Sequence, residues 1–114
     1  MTLEEQVRAI VQALDDKKAE DIRTYDVRGV SGLCDAFVVA TGTASPHLKG
    51  LAAGVREAMR ALGMEAFRTS GDPESGWIVV DYIDVVVHVF SPEARAYYAL
   101  EKLWTPPACE AKEA

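Results

Sequence analysis

Between Trp77 and His88 the chain reads WIVVDYIDVVVH, which sets an indole, two carboxylates and an imidazole within one short stretch. If Tyr82 and Ile83 are the loop of a two-residue hairpin, Asp81 faces Asp84, Val79 faces Val86, and Trp77 faces His88 across the strands. Those side chains then share one face of a sheet, while Ile78, Val80, Val85, Val87 and Val89 make the other face aliphatic throughout. The aliphatic side belongs under a helix or a second layer, so the Trp, His and Asp side is expected to point outward. Carboxylates set opposite one another cost up to about 1 kcal/mol, which a cation from outside would relieve, either a metal or a partner's Lys or Arg. Trp77 beside them has the character of an interface anchor, because Trp, Tyr and Arg dominate binding hot spots. The plainer alternatives are a solvated acidic turn and a Trp covered by a neighbouring helix.

The remaining reactive side chains carry less. His88 has no second His or Cys at metal-site spacing, so neither proton transfer nor metal ligation is assigned to it. Thr41 to Ser45 lie between a strand and a helix start, where free amides can hold an anion, but no Walker lysine or GxGxxG accompanies them. Cys34 has no base beside it in sequence, and the serines lack a nucleophile-elbow context. No catalytic residue, metal or cofactor is expected.

The elements that must position the hairpin can be read in order. Thr2 and Glu5 form a capping box, and Val7, Ile10, Val11 and Leu14 repeat at helical spacing, which predicts a helix from Leu3 to Asp16. Asp21 to Val27 alternates as a strand, the glycines in Arg28 to Gly32 turn the chain, and Phe37 to Ala40 reads as a buried strand ending at Thr41 and Gly42. Ser45 as N-cap and Pro46 at the first position open a second helix that carries Leu48, Leu51, Ala52, Val55, Met59 and Leu62 and ends at Gly63. Met64 to Phe67 is a candidate third strand, and Thr69 to Gly76 reads as a polar loop with a mobile tip. Trp77 to Asp81 and Asp84 to Phe90 are β-rich, and Ser91 and Pro92 start a last helix through Tyr97, Leu100 and Trp104. The expectation is an α/β single domain over residues 1–105, with a disordered tail over 106–114.

Composition sets the outer limits. The 114 residues are 49% hydrophobic and 26% charged, as one ordinary globular domain would be. No apolar run approaches the roughly 20 residues that a membrane span needs, and the N-terminus has no basic region followed by an apolar one. Cys34 and Cys109 form no CxxC pair, so a cytoplasmic setting is expected. The net charge of −6 argues against DNA or RNA binding through phosphate neutralisation, although an acidic protein can visit the ribosome through a basic ribosomal protein.

Four segments together resemble the ribosomal silencing factor family, the Iojap-related proteins. They are LDDKKAEDI (Leu14 to Ile22), DVRGVSGLCDAFVVATGT (Asp26 to Thr43), GWIVVDYIDVVVHVF (Gly76 to Phe90) and SPEARAYYALEKLW (Ser91 to Trp104). The resemblance implies a mixed sheet of about five strands flanked by helices, similar in topology to nucleotidyltransferases but without their catalytic residues. It further implies a translational repressor that binds the large ribosomal subunit at ribosomal protein fourteen and obstructs small-subunit joining when nutrients are scarce. A role in large-subunit maturation and a homodimer off the ribosome are implied as well. The family's partner-binding hairpin falls on Trp77, Asp81, Tyr82, Asp84 and His88.

The chain departs from the family pattern at Ile83, where Gly is usual, and at Ala36, Ala44 and Pro46. A β-branched residue resists the positive φ of a type I′ turn, which leaves open a different turn and a one-residue slip in register. The rival from another class is a nucleotidyltransferase-like enzyme that holds Mg²⁺ on Asp81 and Asp84 and phosphate near Thr43.

Overall fold

The computed structural model describes residues 2–26, 35–98 and 111–113. The expected turn at Arg28 to Gly32, Cys34, Cys109 and the helix beyond Tyr98 lie outside them. The first helix, α1 (Leu3–Asp16), starts on the predicted reciprocal cap: Thr2 Oγ1 accepts the Glu5 amide at 3.1 Å, and the Glu5 carboxylate accepts the Thr2 amide at 3.1 Å. The second, α2 (Ser45–Ala61), ends as its glycine predicts. Gly63 takes φ +84°, its N–H reaches the Arg60 carbonyl at 2.9 Å, and the Met64 N–H reaches back to Met59 at 2.9 Å, which is a Schellman closure.

Six strands follow the order β3-β4-β5-β2-β1-β6. They are β1 (Glu20–Asp26), β2 (Ala36–Thr41), β3 (Arg68–Asp72), β4 (Trp77–Asp81), β5 (Val85–Phe90) and β6 (Ala111–Glu113). Among the described residues, only β2 and β5 pair in parallel; every other pairing is antiparallel. Of the tail expected to be disordered, 106–110 and Ala114 lie outside the described residues, while 111–113 run along the outer edge of β1.

The sheet separates two apolar clusters. On one face α1 and α2 bury Ile10, Leu14, Leu48, Leu51, Val55 and Met59 against Val38, Ala40, Ile78, Val80, Val85, Val87 and Val89. On the other, α3 (Pro92–Tyr98) brings Ala94 onto Tyr25, Phe37, Val39 and Phe90, with Trp77 and Val86 packed alongside. The aliphatic side of the hairpin therefore faces the helices as predicted.

Three local expectations need correction. The third strand is Arg68–Asp72 rather than Met64 to Phe67, and it occupies the first half of the stretch read as a loop. It is a sheet edge with every residue exposed, so neither face imposes an apolar alternation that could be read. The N-cap of α2 is Ala44, without a side-chain cap bond, and Ser45 is already helical. His47 compensates nearby: its Nδ1 accepts the Thr43 amide at 3.0 Å, and its Nε2 lies 2.8 Å from the Lys17 carbonyl, tying the start of α2 to the end of α1.

The third correction is the hairpin register. Asp81 pairs with Val86, Val79 with His88 and Trp77 with Phe90, two residues away from the expected partners. The connection is Tyr82, Ile83 and Asp84, closed by Tyr82 N–H to the Val85 carbonyl at 2.9 Å and Asp84 N–H to the Tyr82 carbonyl at 2.8 Å. The second bond makes a γ-turn around Ile83, which sits at φ +73°. That region costs a residue with a Cβ about 1–2 kcal/mol. The Asp81 carboxylate offsets the cost, since its Oδ1 accepts the Ile83 amide at 2.7 Å.

Glycine substitutions test this architecture in opposite directions. Gly71 in β3 has φ +93°, and an added Cβ would lie 2.2 Å from the Trp77 carbonyl oxygen, whereas a Cβ on Gly50 within α2 meets nothing within 4 Å. Gly71→Ala is expected to lose at least about 1–2 kcal/mol. Gly50→Ala should gain roughly 0.5–1 kcal/mol. Thermal melts of both variants against the parent check the pair.

Candidate functional site

The hairpin, β2 and β1 build one continuous row of rings on the α3 side of the sheet. Tyr25 on β1 stacks on Phe37 of β2 with centroids 4.9 Å apart, and Phe37 meets the His88 ring edge-on at 5.7 Å. Trp77 of β4 lies 5.4 Å from Phe90 and 6.0 Å from His88 of β5, stacked on both. Such pairs contribute about 0.5–1.5 kcal/mol each beyond area burial, so the row is a stiff platform. Its register is set by alternation: Trp77, Val79 and Asp81 share this face with Val86, His88 and Phe90.

Trp77 and His88 are joined directly. The indole Nε1–H donates to His88 Nδ1 at 3.2 Å, so the neutral imidazole carries its proton on Nε2. Burial among the rings pushes the His88 pKa down to about 4, and the negative charge of Asp81 only partly opposes this. The ring is therefore neutral at physiological pH and serves as the acceptor that holds the indole. This face is less open than expected: Phe37, Val39 and Phe90 are buried, and Trp77, Asp81 and His88 are half-buried.

The two acids do not face each other. Asp84 is exposed in the turn, whereas Asp81 is spent on structure, with Oδ1 on the Ile83 amide and Oδ2 3.8 Å from Arg68 Nη2. Tyr82 lies on the opposite side of the sheet, 4% exposed among the helix-packed residues, away from the Trp77 face. Its buried hydroxyl has no hydrogen-bond partner among the described residues, and desolvation raises its pKa. Of the five expected site residues, the sheet thus brings Trp77, His88 and Asp81 onto one face, sets Asp84 at its end and turns Tyr82 away.

The arrangement does not assemble the metal-and-phosphate site of the rival enzyme reading. Asp81 pairs with Val86, which neighbours Phe37 at the start of β2, whereas Thr43 follows Thr41 at the end of β2. Four strand residues separate the two places, about 13 Å. The Thr43 amide is also already taken by His47. Among the described residues no group of three His, Cys, Asp or Glu side chains converges as a metal site.

Arg95 was not legible as a site-building residue. From α3 its Nη1 donates to the Asp21 carbonyl at 2.7 Å and to Thr41 Oγ1 at 2.7 Å, with the Asp21 carboxylate 3.4 Å away. It clamps α3 over the aromatic row, with its side chain only 10% exposed. Its partners stand 74 and 54 positions away, so no local pattern announces the clamp.

A family model described as ribosomal silencing factor during starvation matches residues 1–114. The chain is 36% identical over 104 residues to the ribosomal silencing factor of Halalkalibacterium halodurans, covering 91% of this chain and 89% of that one. It is 39% identical over 92 residues to that of Bacillus subtilis, covering 81% and 78%. A crystal structure of a Chromobacterium violaceum protein superposes with a TM-score of 0.88 at 34% identity, over 94% of this chain and 91% of that one.

His88 makes stability depend on pH. Its folded pKa, about 4, lies below the ordinary value of 6.5, so between the two the unfolded chain binds more protons. The stabilisation is complete above pH 6.5, falls as pH drops through that window, and is gone near 4. The loss is on the order of 3 kcal/mol. Urea unfolding at pH 7 and 4.5 should show a smaller decline for His88→Gln than for the parent; overlapping pH profiles would refute the assignment.

Proposed function

Because the chain belongs to the ribosomal silencing factor family, we propose that it represses translation as a bound obstacle. It docks on the large ribosomal subunit through ribosomal protein fourteen and keeps the small subunit from joining, without catalysis. The reading includes a cytoplasmic protein that acts under nutrient limitation and is a homodimer when off the ribosome. The word starvation in the family description supports the nutritional setting. Among the described residues no helix is long and apolar enough to cross a membrane.

The observation that carries the docking site is the half-buried Trp77, held by a neutral His88 on a platform of stacked rings. A large amphipathic side chain with its orientation already set loses little freedom on binding, which is what an interface anchor requires. In this reading Trp77 contacts the ribosomal protein, Asp84 meets its basic side chains, and His88 and Asp81 position these groups. Tyr82 supports the hairpin from the opposite core.

Cosedimentation with isolated large subunits on sucrose gradients tests the reading. Trp77→Ala is expected to bind about thirtyfold more weakly or worse, corresponding to an anchor loss of roughly 2 kcal/mol. Asp84→Asn should mainly slow association and reduce its salt sensitivity. Circular dichroism must show that the Trp77 variant is folded, with Trp77→Phe as a milder change that keeps a ring in place. A folded Trp77→Ala chain that binds like the parent would remove the anchor.

A further inference from the structure

Ile83 occupies a conformation that isoleucine should avoid. Its φ is +73°, its side chain is 57% exposed, and it lies at the centre of the γ-turn. Burial therefore offers almost no return for the backbone strain, and glycine or asparagine would suit the turn better. The conformation persists because its surroundings over-determine it. Asp81 Oδ1 holds the Ile83 amide, Tyr82 N–H reaches the Val85 carbonyl, and the Asp84 carbonyl accepts the amides of Asp35 and Ala36 at 3.0 and 3.1 Å.

A second exposed hydrophobic stands on the same residue. Phe67, 65% exposed, donates its amide to the Asp81 carbonyl at 2.8 Å, so the carbonyl and carboxylate of Asp81 anchor Phe67 and Ile83 together. Arg68 lies over the Phe67 ring at 5.8 Å and near Asp81, which occupies that cation. Asp35 and Asp84 are exposed, linked through the Asp35 amide, and no cation among the described residues pairs with either. Around Asp81 the hairpin tip thus carries two exposed apolar side chains and, in Asp35 and Asp84, two carboxylates without a paired cation among the described residues.

We infer that this tip is a second contact with the large subunit: Ile83 and Phe67 fill an apolar recess on a Lys- and Arg-rich protein surface that also neutralises Asp35, next to the Asp84 already placed in the proposed docking. The inference rests on the proposed ribosome docking and extends it beyond Trp77, which lies at the other end of β4. Charge selects the occupant. A second copy meeting tip to tip about a twofold axis would set Asp35 and Asp84 against their own equivalents, in a chain of net charge −6. Nucleic acid phosphates would meet the same carboxylates and be repelled.

The test pairs stability with binding in the full chain. Ile83→Gly is expected to raise the thermal midpoint while weakening cosedimentation with isolated large subunits about tenfold; Ile83→Asn, which also tolerates this φ, should move both in the same directions. Phe67→Ser should weaken binding similarly with the fold intact, and Asp35→Asn, with Asp84 left in place, should reduce the salt dependence of binding. A stabler Ile83→Gly chain that binds like the parent overturns the inference. So does a variant whose sedimentation velocity shows a lost self-association with unchanged subunit affinity. Trp77→Ala measured in parallel separates the two claims: weakening by Trp77→Ala alone leaves the proposed docking standing and removes the tip. Failure of the unmodified chain to cosediment removes both.

Discussion

The parallel pairing of β2 with β5 is the constraint from which the other elements take their places. Six register pairs join them, Ala36 with Val85 through Thr41 with Phe90, and every residue of β2 is buried. A strand buried on both faces needs a cover on each side, because its apolar side chains lose by meeting water, while its backbone groups, cut off from water, must find partners in the neighbouring strands. The helices α1 and α2 cover one face, and α3, clamped by Arg95 to Asp21 and Thr41, covers part of the other. Parallel strands also require a long crossover, and the excursion through α2, β3 and β4 supplies it. The hairpin that carries Trp77 and His88 is the return limb of that excursion.

The legible parts of the fold are those in which one face is buried and the other is not. Val7, Ile10, Val11 and Leu14 announced α1, and its limits agree with the reading from Thr2 and Glu5. In the hairpin, the expected partners were wrong by two residues while every strand residue kept its face. Side chains alternate with a period of two, so a two-residue slip changes who meets whom without exchanging core for surface. A one-residue slip would have turned Val80 and Val87 outward, and the helix-packed core excludes that. Turn chemistry was the weaker guide: Ile83 does take a positive φ, but in a three-residue connection whose strain Asp81 holds.

What could not be read has a common physical cause, namely that its partners are remote or its faces are alike. Arg68–Asp72 is exposed throughout and carries no alternation, so from Thr69 onward it passed for a loop. Tyr82 gave no sign that it would leave the strand face and enter the opposite core, because that depends on where the chain begins to turn. The role of Asp81 was misjudged for the same reason. Opposite Asp84 it would have been half of a repelling pair; opposite Val86 it is the acceptor for the turn amide. The composition of the face was therefore legible while the duties of its residues were not.

The neutrality of His88 links this geometry to the proposed docking. A protonated imidazole could not accept the indole N–H at Nδ1, and a cation among buried rings would be poorly solvated. Burial that lowers the pKa thus also secures the tautomer that fixes Trp77, and the fixed indole in turn excludes water from His88. The two effects reinforce one another, because each ring is part of the other's low-dielectric surroundings. Such a platform is assembled by folding before any partner arrives. A regulator that acts by occupying a surface benefits from this arrangement, since less of its contact energy is lost to ordering the anchor.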